Sequence, residues 1–409
     1  MSDPTVVIVG GGQAGFETAS NLRTRGWPGA IKIICDEREL PYQRPPLSKA
    51  YLTSSTSLEL DEVVLRPNEW FKRNSIDLLL GSRAEEIDRV ACQVVLDDGF
   101  CVGYDHLVLA TGARNRVLPI DGADLRGVHY LRTLGEAAEL VAAFRSAADV
   151  AVVGAGFIGL EVAAAAAKKG LSVTVLEATD RPMARAVSQP ISDHFTALHT
   201  GHGVALLTGT GVTRLLGEDG RVTGVETAGG RVTPADLVVV GIGVVPEDSL
   251  ASIAGLEVQN GVLVDEHLRT SDPRIFAVGD CAVFPAHERR VRLESVQNAV
   301  DHARCVAAQL TGTDDPYRAV PWFWTEQFES KLQMAGLIDG HRECVVRGDP
   351  GSGAFSVFCF SETGELLGVE SVNQPRDHMA ARRLLASGHR LTARQVADPR
   401  TDLKALSRA

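Results

Sequence analysis

Two short apolar runs, VVIV at Val6–Val9 and VAVV at Val150–Val153, stand out from the alternating pattern of the rest of the chain. Each is too short for a core helix and too uniformly hydrophobic for a half-exposed strand. Both therefore read as strands buried on two faces of a parallel sheet. Each run breaks into glycines, a segment of helical periodicity follows (Phe16 to Arg25 in the first copy), and a second strand ends on an acid. The first copy carries Gly10, Gly12 and Gly15 and closes with IKIIC at Asp36; the second carries Gly154, Gly156 and Gly159 and closes with VTVL at Glu177. Each is a βαβ unit with G-x-G-x-x-G at its first turn and an acid about 20 residues on. The first glycine makes the tight turn, the second lets backbone approach a pyrophosphate, and the third lets helix and strand pack. The helix N-terminus offers N–H groups to phosphates, and the acid accepts from a ribose. Glu17 and Glu161 fall at the same place in the two copies, and Trp27-Pro28-Gly29 lengthens the first. Two complete units imply two bound dinucleotides.

Between and after these units the pattern predicts a mixed chain. In LPYQRPPLSKAYL, Pro45 and Pro46 are expected to fix an extended loop walling a flat ring, with Ser48 capping a helix that begins at Lys49. Ile76–Gly81 and Gln93–Leu96 read as strands, with a hairpin turn at Asp97-Asp98-Gly99. Tyr104–Gly112 is an apolar strand running into small residues, and Ala205–Gly243 supplies further strands. AVGD at 277–280 puts Asp280 at the end of a short strand opening a helix, where its carboxylate can accept from a polyol. In the tail, FSVFCF and ELLGVESV read as strands joined by a turn at Ser361–Gly364. Arg376–Ser387 is helical and stops at Gly388, so the tail forms a small α+β domain.

At 409 residues the chain exceeds one hydrophobic core, so two or three domains are expected. A net charge of −11 speaks against a nucleic-acid partner. The N-terminus lacks the basic and apolar regions of a signal peptide. The least polar window, Val150–Ala167, contains Glu161 and the glycine turn, so no membrane span is expected. The seven cysteines form no C-x-x-C or C-x4-C pair, which indicates neither a disulfide framework nor a metal site and fits a reducing cytoplasm.

Both glycine fingerprints, ATG at 110–112, GIG at 241–243 and AVGD at 277–280 resemble the two-dinucleotide-binding flavoprotein reductases, the group that includes glutathione reductase. PYQRPPLSK, HYLRT, VRLESVQNA and PWFW narrow the resemblance to the NADH-dependent, FAD-containing ferredoxin reductases that serve bacterial oxygenases; Gln297 departs from a proline in that pattern. The resemblance implies an α/β architecture with two Rossmann-like domains and a C-terminal α+β domain, as in glutathione reductase. It divides the chain into an FAD-binding domain (1–114 and 244–320), an NAD-binding domain (115–243) and a C-terminal reductase domain (321–409). FAD would lie against Ala14, Asp36, Lys49, Ala84, Arg132, Asp280 and Val296, with Pro45 as the ring wall. NADH would lie against Gly156, Ile158, Gly159, Glu177 and Gly243.

Hydride transfer from nicotinamide to flavin needs no protein nucleophile, because the cofactors carry the chemistry. Lys49 near the flavin, paired with Glu161, and Trp324 at the acceptor side are the residues expected to act. Arg304, with Arg289, Arg290 and Arg292, is expected to form a basic patch for an acidic [2Fe–2S] ferredoxin that in turn feeds a cytochrome P450 or a dioxygenase. Trp322 is expected to point away from Trp324. Glu177 should favour NADH, with Arg181 and Arg185 near enough to soften that choice. A disulfide reductase or cysteine-dependent NADH oxidase would need a thiol where Gln43, Arg44, Pro45 and Pro46 stand. A monodehydroascorbate reductase, or a signalling flavoprotein like apoptosis-inducing factor, stays open at this level.

Overall fold

The computed structural model describes residues 3–54, 60–286 and 289–407. The chain separates into two compact units, one of Met1–Gln43, Glu59–Arg114 and Val244–Ala319, the other of Arg44–Leu58, Asn115–Gly243 and Val320–Ala409.

The first unit is built on β1 (Val6–Val9), α1 (Gln13–Thr24) and β2 (Ile31–Cys35). A five-stranded parallel sheet runs in the order Ile275–Ala277, His106–Leu109, β1, β2, Ile76–Leu80. Its central strand β1 is apolar at every position because both faces are covered: Val6, Val7 and Ile8 are fully buried, as are Leu107 and Val108 beside them. The anticipated hairpin is present, Gln93–Leu96 pairing with Cys101–Gly103 around Gly99 at φ +82°. A third strand of that small sheet, Ala84–Asp88, was not anticipated; its Glu85 and Glu86 are solvent-exposed and give no apolar run.

The second unit repeats the device with β3 (Asp149–Val153), α2 (Phe157–Lys168) and β4 (Ser172–Leu176) in a parallel sheet ordered Ala205–Leu207, β4, β3, Leu237–Val240, Val128–His129. Helix α3 (Gln189–Gly201) follows. The tail is an antiparallel sheet of β5 (Trp322–Gln327), β6 (Ser330–Gly336), β7 (Glu343–Asp349), β8 (Ala354–Phe360) and β9 (Leu366–Val372), in the order β5-β6-β9-β8-β7. Phe358, Phe360 and Val369 pack on Ala381 and Leu384 of α4 (Pro375–Ser387), which ends on Gly388 in the left-handed conformation. Among the described residues no helix is long and apolar enough to cross a membrane.

Candidate active site

In the first glycine turn Gly10 sits at φ +114° and donates its N–H to Ile34 O at 2.8 Å. A Cβ on Gly10 would strike the Ala110 carbonyl, and one on Gly15 would strike the Gly10 carbonyl, so both must be glycine. A Cβ on Gly12 would meet nothing within 4 Å, and Gly12 caps α1 without a side-chain partner. Open space above uncapped N–H groups is what a pyrophosphate requires. The AVGD turn packs against the same end of this unit. A Cβ on Gly279 would come 3.0 Å from Ala14 Cβ and 3.8 Å from Ala299 Cβ, one turn beyond Val296. Asp280 lies in the short 3-10 turn Gly279–Cys281, rather than opening a helix. Gly279 N–H donates to His302 Nδ1 at 3.2 Å; burial keeps that imidazole neutral, pushing its pKa down to about 3. Asp36 is exposed at the end of β2, and Ala84 pairs with Leu96 in the small sheet. These residues fit an adenine dinucleotide with a polyol chain.

The second turn has the same skeleton. Gly154 is at φ +101°, and a Cβ on Gly159 would strike the Gly154 carbonyl. GIG acquires its reason here, since a Cβ on Gly241 would come 3.2 Å from Gly159 Cα. Around Gly156 and Gly243 the space is open, with only the Gly241 carbonyl 3.9 Å from a Gly156 Cβ, and Ile158 is 43% exposed at the helix start. Glu177 closes the site: Oε2 accepts from Ala155 N–H at 2.7 Å, and Oε1 accepts from Thr179 N–H at 2.8 Å and Thr179 Oγ1 at 2.7 Å. Arg181 donates to Val187 O, Ser192 Oγ and Ala184 O at 3.0, 2.9 and 2.9 Å. Its guanidinium is thus committed to the protein, which corrects the expectation that it could soften the coenzyme choice. Arg185 is exposed.

Lys49 Nζ and Glu161 Oε1 form an ion pair at 2.8 Å, with side chains 19% and 1% exposed. Two hydroxyls complete the carboxylate's shell: Thr325 Oγ1 donates to Oε1 at 2.5 Å, and Ser48 Oγ donates to Oε2. The buried charge thus has a cation and two hydrogen bonds, the condition under which such a pair can persist. Thr325 accepts in turn from Gln327 Nε2 at 3.2 Å, and Gln327 Oε1 faces His199 Nε2 at 2.8 Å. Desolvation pushes the His199 pKa down to about 4, so the ring is neutral and the chain of donors runs toward Glu161. Two expectations fail here. Pro45–Ser48 forms a 3-10 turn, not an extended loop, since proline's fixed φ also suits that helix and Lys49 N–H closes it on Pro46 O at 3.0 Å. Ser48 caps no helix; its hydroxyl belongs to Glu161. Arg44 Nη1 ties this turn to Arg132 O at 2.8 Å, while Arg132 N–H donates to Glu136 Oε2 at 2.7 Å, beside the capping box that Glu136 forms with Thr133.

Strand β5 has two faces of different chemistry. Phe323, Thr325 and Gln327 turn toward α2 and α3, with Phe323 4.7 Å from Phe157 at the head of α2. Trp322 and Trp324 share the other face, their ring centroids 5.5 Å apart. This overturns the expectation that Trp322 points away, because strand side chains alternate and positions two apart coincide. The Arg382 guanidinium covers Trp322 at 4.8 Å. The basic patch is smaller than expected. Arg292 is 11% exposed, pairs with Glu294 at 2.8 Å and donates to Asp280 O. Arg304 is exposed on the helix Val296–Leu310 but pairs with Asp301 at 3.1 Å. Thr325 was missed by sequence reasoning, and a threonine in a strand carries no signal that could have found it.

Two Rossmann-like sheets with open glycine turns and an antiparallel C-terminal sheet define a flavoprotein reductase that handles a pyridine nucleotide. Residues 4–303 match the pyridine nucleotide-disulphide oxidoreductase family and residues 322–407 match the reductase C-terminal family, and the chain belongs to the former with the latter appended. It is 58% identical to rhodocoxin reductase of Rhodococcus erythropolis over 98% of this chain and 93% of that protein. Among solved structures it resembles the ferredoxin reductase for the CYP199A2 system from Rhodopseudomonas palustris (46% identity, TM-score 0.96, covering 99% and 100% of the two chains). It also resembles the covalent putidaredoxin reductase–putidaredoxin complex (39% identity, TM-score 0.95, covering 99% and 98%).

Proposed function

We infer that this chain is an NADH:ferredoxin oxidoreductase with FAD as its resident cofactor, delivering electrons to a [2Fe–2S] ferredoxin that feeds a cytochrome P450 or ring-hydroxylating dioxygenase in the cytoplasm. The observation that carries this reading is the full-length likeness to reductases named for such systems, one of them solved with its redox partner attached. When bound, FAD accepts a hydride from nicotinamide and releases electrons singly. The protein's part is to choose the coenzyme, hold a cation at the ring and present a face to the acceptor. Glu177, anchored on the glycine turn, accepts from a 2′-hydroxyl and repels a 2′-phosphate. Lys49, kept in place by Glu161, supplies a fixed positive charge where negative charge accumulates on the flavin. Trp324 would face the acceptor and Arg304 would contribute to the docking rim. The boundaries drawn above, with FAD on 1–114 and 244–320 and NAD on 115–243, fit this division of labour.

A thiol-based reaction is disfavoured. Cys35, the cysteine nearest the position a redox-active pair would need, is buried, and desolvation pushes its pKa up to about 12. Cytochrome c reduction by NADH separates the remaining readings. The rate should be rapid only when a [2Fe–2S] ferredoxin is added; equal rates without it would favour a monodehydroascorbate reductase or a signalling flavoprotein. In stopped flow, Lys49→Ala should slow flavin reduction about tenfold while FAD stays bound. A wild-type rate would remove Lys49 from the mechanism.

A further inference from the structure

Outside the cofactor sites, two free cysteines face each other across the edge of the C-terminal sheet. Cys344 on β7 is in direct register with Cys359 on β8, and their sulfurs lie 3.3 Å apart. Residues opposed in an antiparallel ladder have Cα atoms about 4.5–5.5 Å apart, inside the range of about 4.4–6.8 Å that a disulfide spans. Closing the bond therefore asks for side-chain rotation and no backbone shift. The two thiols are unequal. Cys344 is half-buried on the sheet's outermost strand, whereas Cys359 is fully buried on the strand inside it. The hydrogen bond between the two sulfurs holds Cys344 below its ordinary value; the same hydrogen bond, with burial, raises Cys359. A half-buried sulfur on an edge strand in contact with a fully buried one is the arrangement of an attacking and a resolving cysteine.

We propose that Cys344 and Cys359 form a reversible redox-modification site that hydroperoxides convert to a cross-strand disulfide. The Cys344 thiolate attacks a peroxide oxygen; an S–O bond forms, the O–O bond breaks, and the alkoxide or hydroxide leaves with a proton as alcohol or water. Cys359 then attacks the Cys344 sulfur, forming S–S and breaking S–OH, and its proton leaves in the water released. Two thiols lose two electrons and one peroxide gains them. The bond pins β7 to β8. It does so on the sheet face that also carries Glu370, whose carboxylate accepts from Ser188 N–H at the head of α3 at 3.1 Å.

The test uses the holoenzyme and hydrogen peroxide. After treatment, free thiols are alkylated and the protein is digested without reductant; trypsin cuts after Arg347, between the two cysteines. The expected product is a linked pair of peptides, with Cys344 alkylation reduced about tenfold and restored by dithiothreitol. Amide exchange across β7 should slow in the oxidised protein. Cys359→Ser should stall at a Cys344 sulfenic acid trapped by dimedone, and Cys344→Ser should leave Cys359 reduced. If the exposed Cys101 is oxidised while both Cys344 and Cys359 remain alkylatable, or if Cys344 pairs with another molecule, the proposal fails. The wild-type peptide map decides the matter even if a variant does not fold.

Discussion

The two glycine units carry the same motif and end in different states. In the second unit the acid after the second strand reaches back: Glu177 holds the Ala155 N–H inside the glycine turn. In the first unit Asp36 is exposed and makes no hydrogen bond among the described residues, and the position matching Ala155 is Gly11, packed against the Cys35 sulfur. A coenzyme that exchanges each turnover gains from a turn already in its binding geometry, because little ordering remains to oppose binding. A resident cofactor can complete its own site. The matched acids of the two helices diverge further. Among the described residues the Glu17 carboxylate bonds within its own helix, to Gln13 at 3.1 Å and Asn21 at 3.3 Å. Glu161 is buried among Lys49, Ser48 and Thr325 from distant segments. The same motif position holds a half-buried carboxylate bonded within its helix in one copy and a buried ion pair in the other, and only its surroundings tell them apart.

The largest expected effect tests that divergence. Glu161→Ala leaves Lys49 without its partner and should cost about 4 kcal/mol of stability, whereas Glu17→Ala should change it by less than about 0.5 kcal/mol. Chemical denaturation of both holoenzymes checks this, and equal losses would erase the distinction.

A third carboxylate sharpens the point, because its burial outweighs the pull of the nearby Arg181 guanidinium. Desolvation raises the pKa of Glu370 from 4.5 to about 7. Between those values the native state binds the proton that the unfolded state has lost, so this group's contribution to stability falls as pH rises. Glu370→Gln should therefore be near wild type at low pH and gain on it by up to about 3 kcal/mol above pH 7 or so. A difference curve that is flat across this window would contradict the shift.

Next comes the acid at the end of each unit. Wild type should prefer NADH over NADPH by at least about tenfold in kcat/KM, roughly 1.4 kcal/mol. Glu177→Ala should abolish that ratio, while Asp36→Asn should leave it intact and weaken FAD retention. Equal kcat/KM for both coenzymes in wild type would refute the assignment of Glu177.

The smallest effect is at the docking rim. Arg304→Glu should raise the KM for ferredoxin about threefold and weaken its salt dependence, leaving NADH-to-ferricyanide turnover unchanged. The effect is modest because Asp301 already offsets part of the arginine's charge. If both activities fall together, Arg304 is structural.

The fold was legible because its signals are local. A glycine at Gly10 or Gly154 is required by a backbone conformation only a few residues long, and VVIV needs cover on both faces wherever it sits. Lys49 and Glu161 could be singled out as a cation after the double proline and an acid repeated in both helices, but their burial and their hydroxyl partners could not. The failures are instructive in the same terms. Pro45–Pro46 is compatible with either an extended loop or a 3-10 turn, and the choice was made by tertiary contacts. Arg292 and Arg304 are both arginines near one helix, yet one is buried on Glu294 and the other exposed.

By itself, the sequence determined that there are two dinucleotide-binding units, where their turns lie and which acid ends each, since spacing and backbone sterics settle those within about thirty residues. The tertiary structure alone decided what each acid does. Ser48 reaches Glu161 across 113 residues and Thr325 across 164, and Arg181 is withdrawn from the coenzyme site by carbonyls it meets only when folded. Burial and partnership are properties of the space around a side chain, and that space is assembled from segments whose separation along the chain carries no periodic trace.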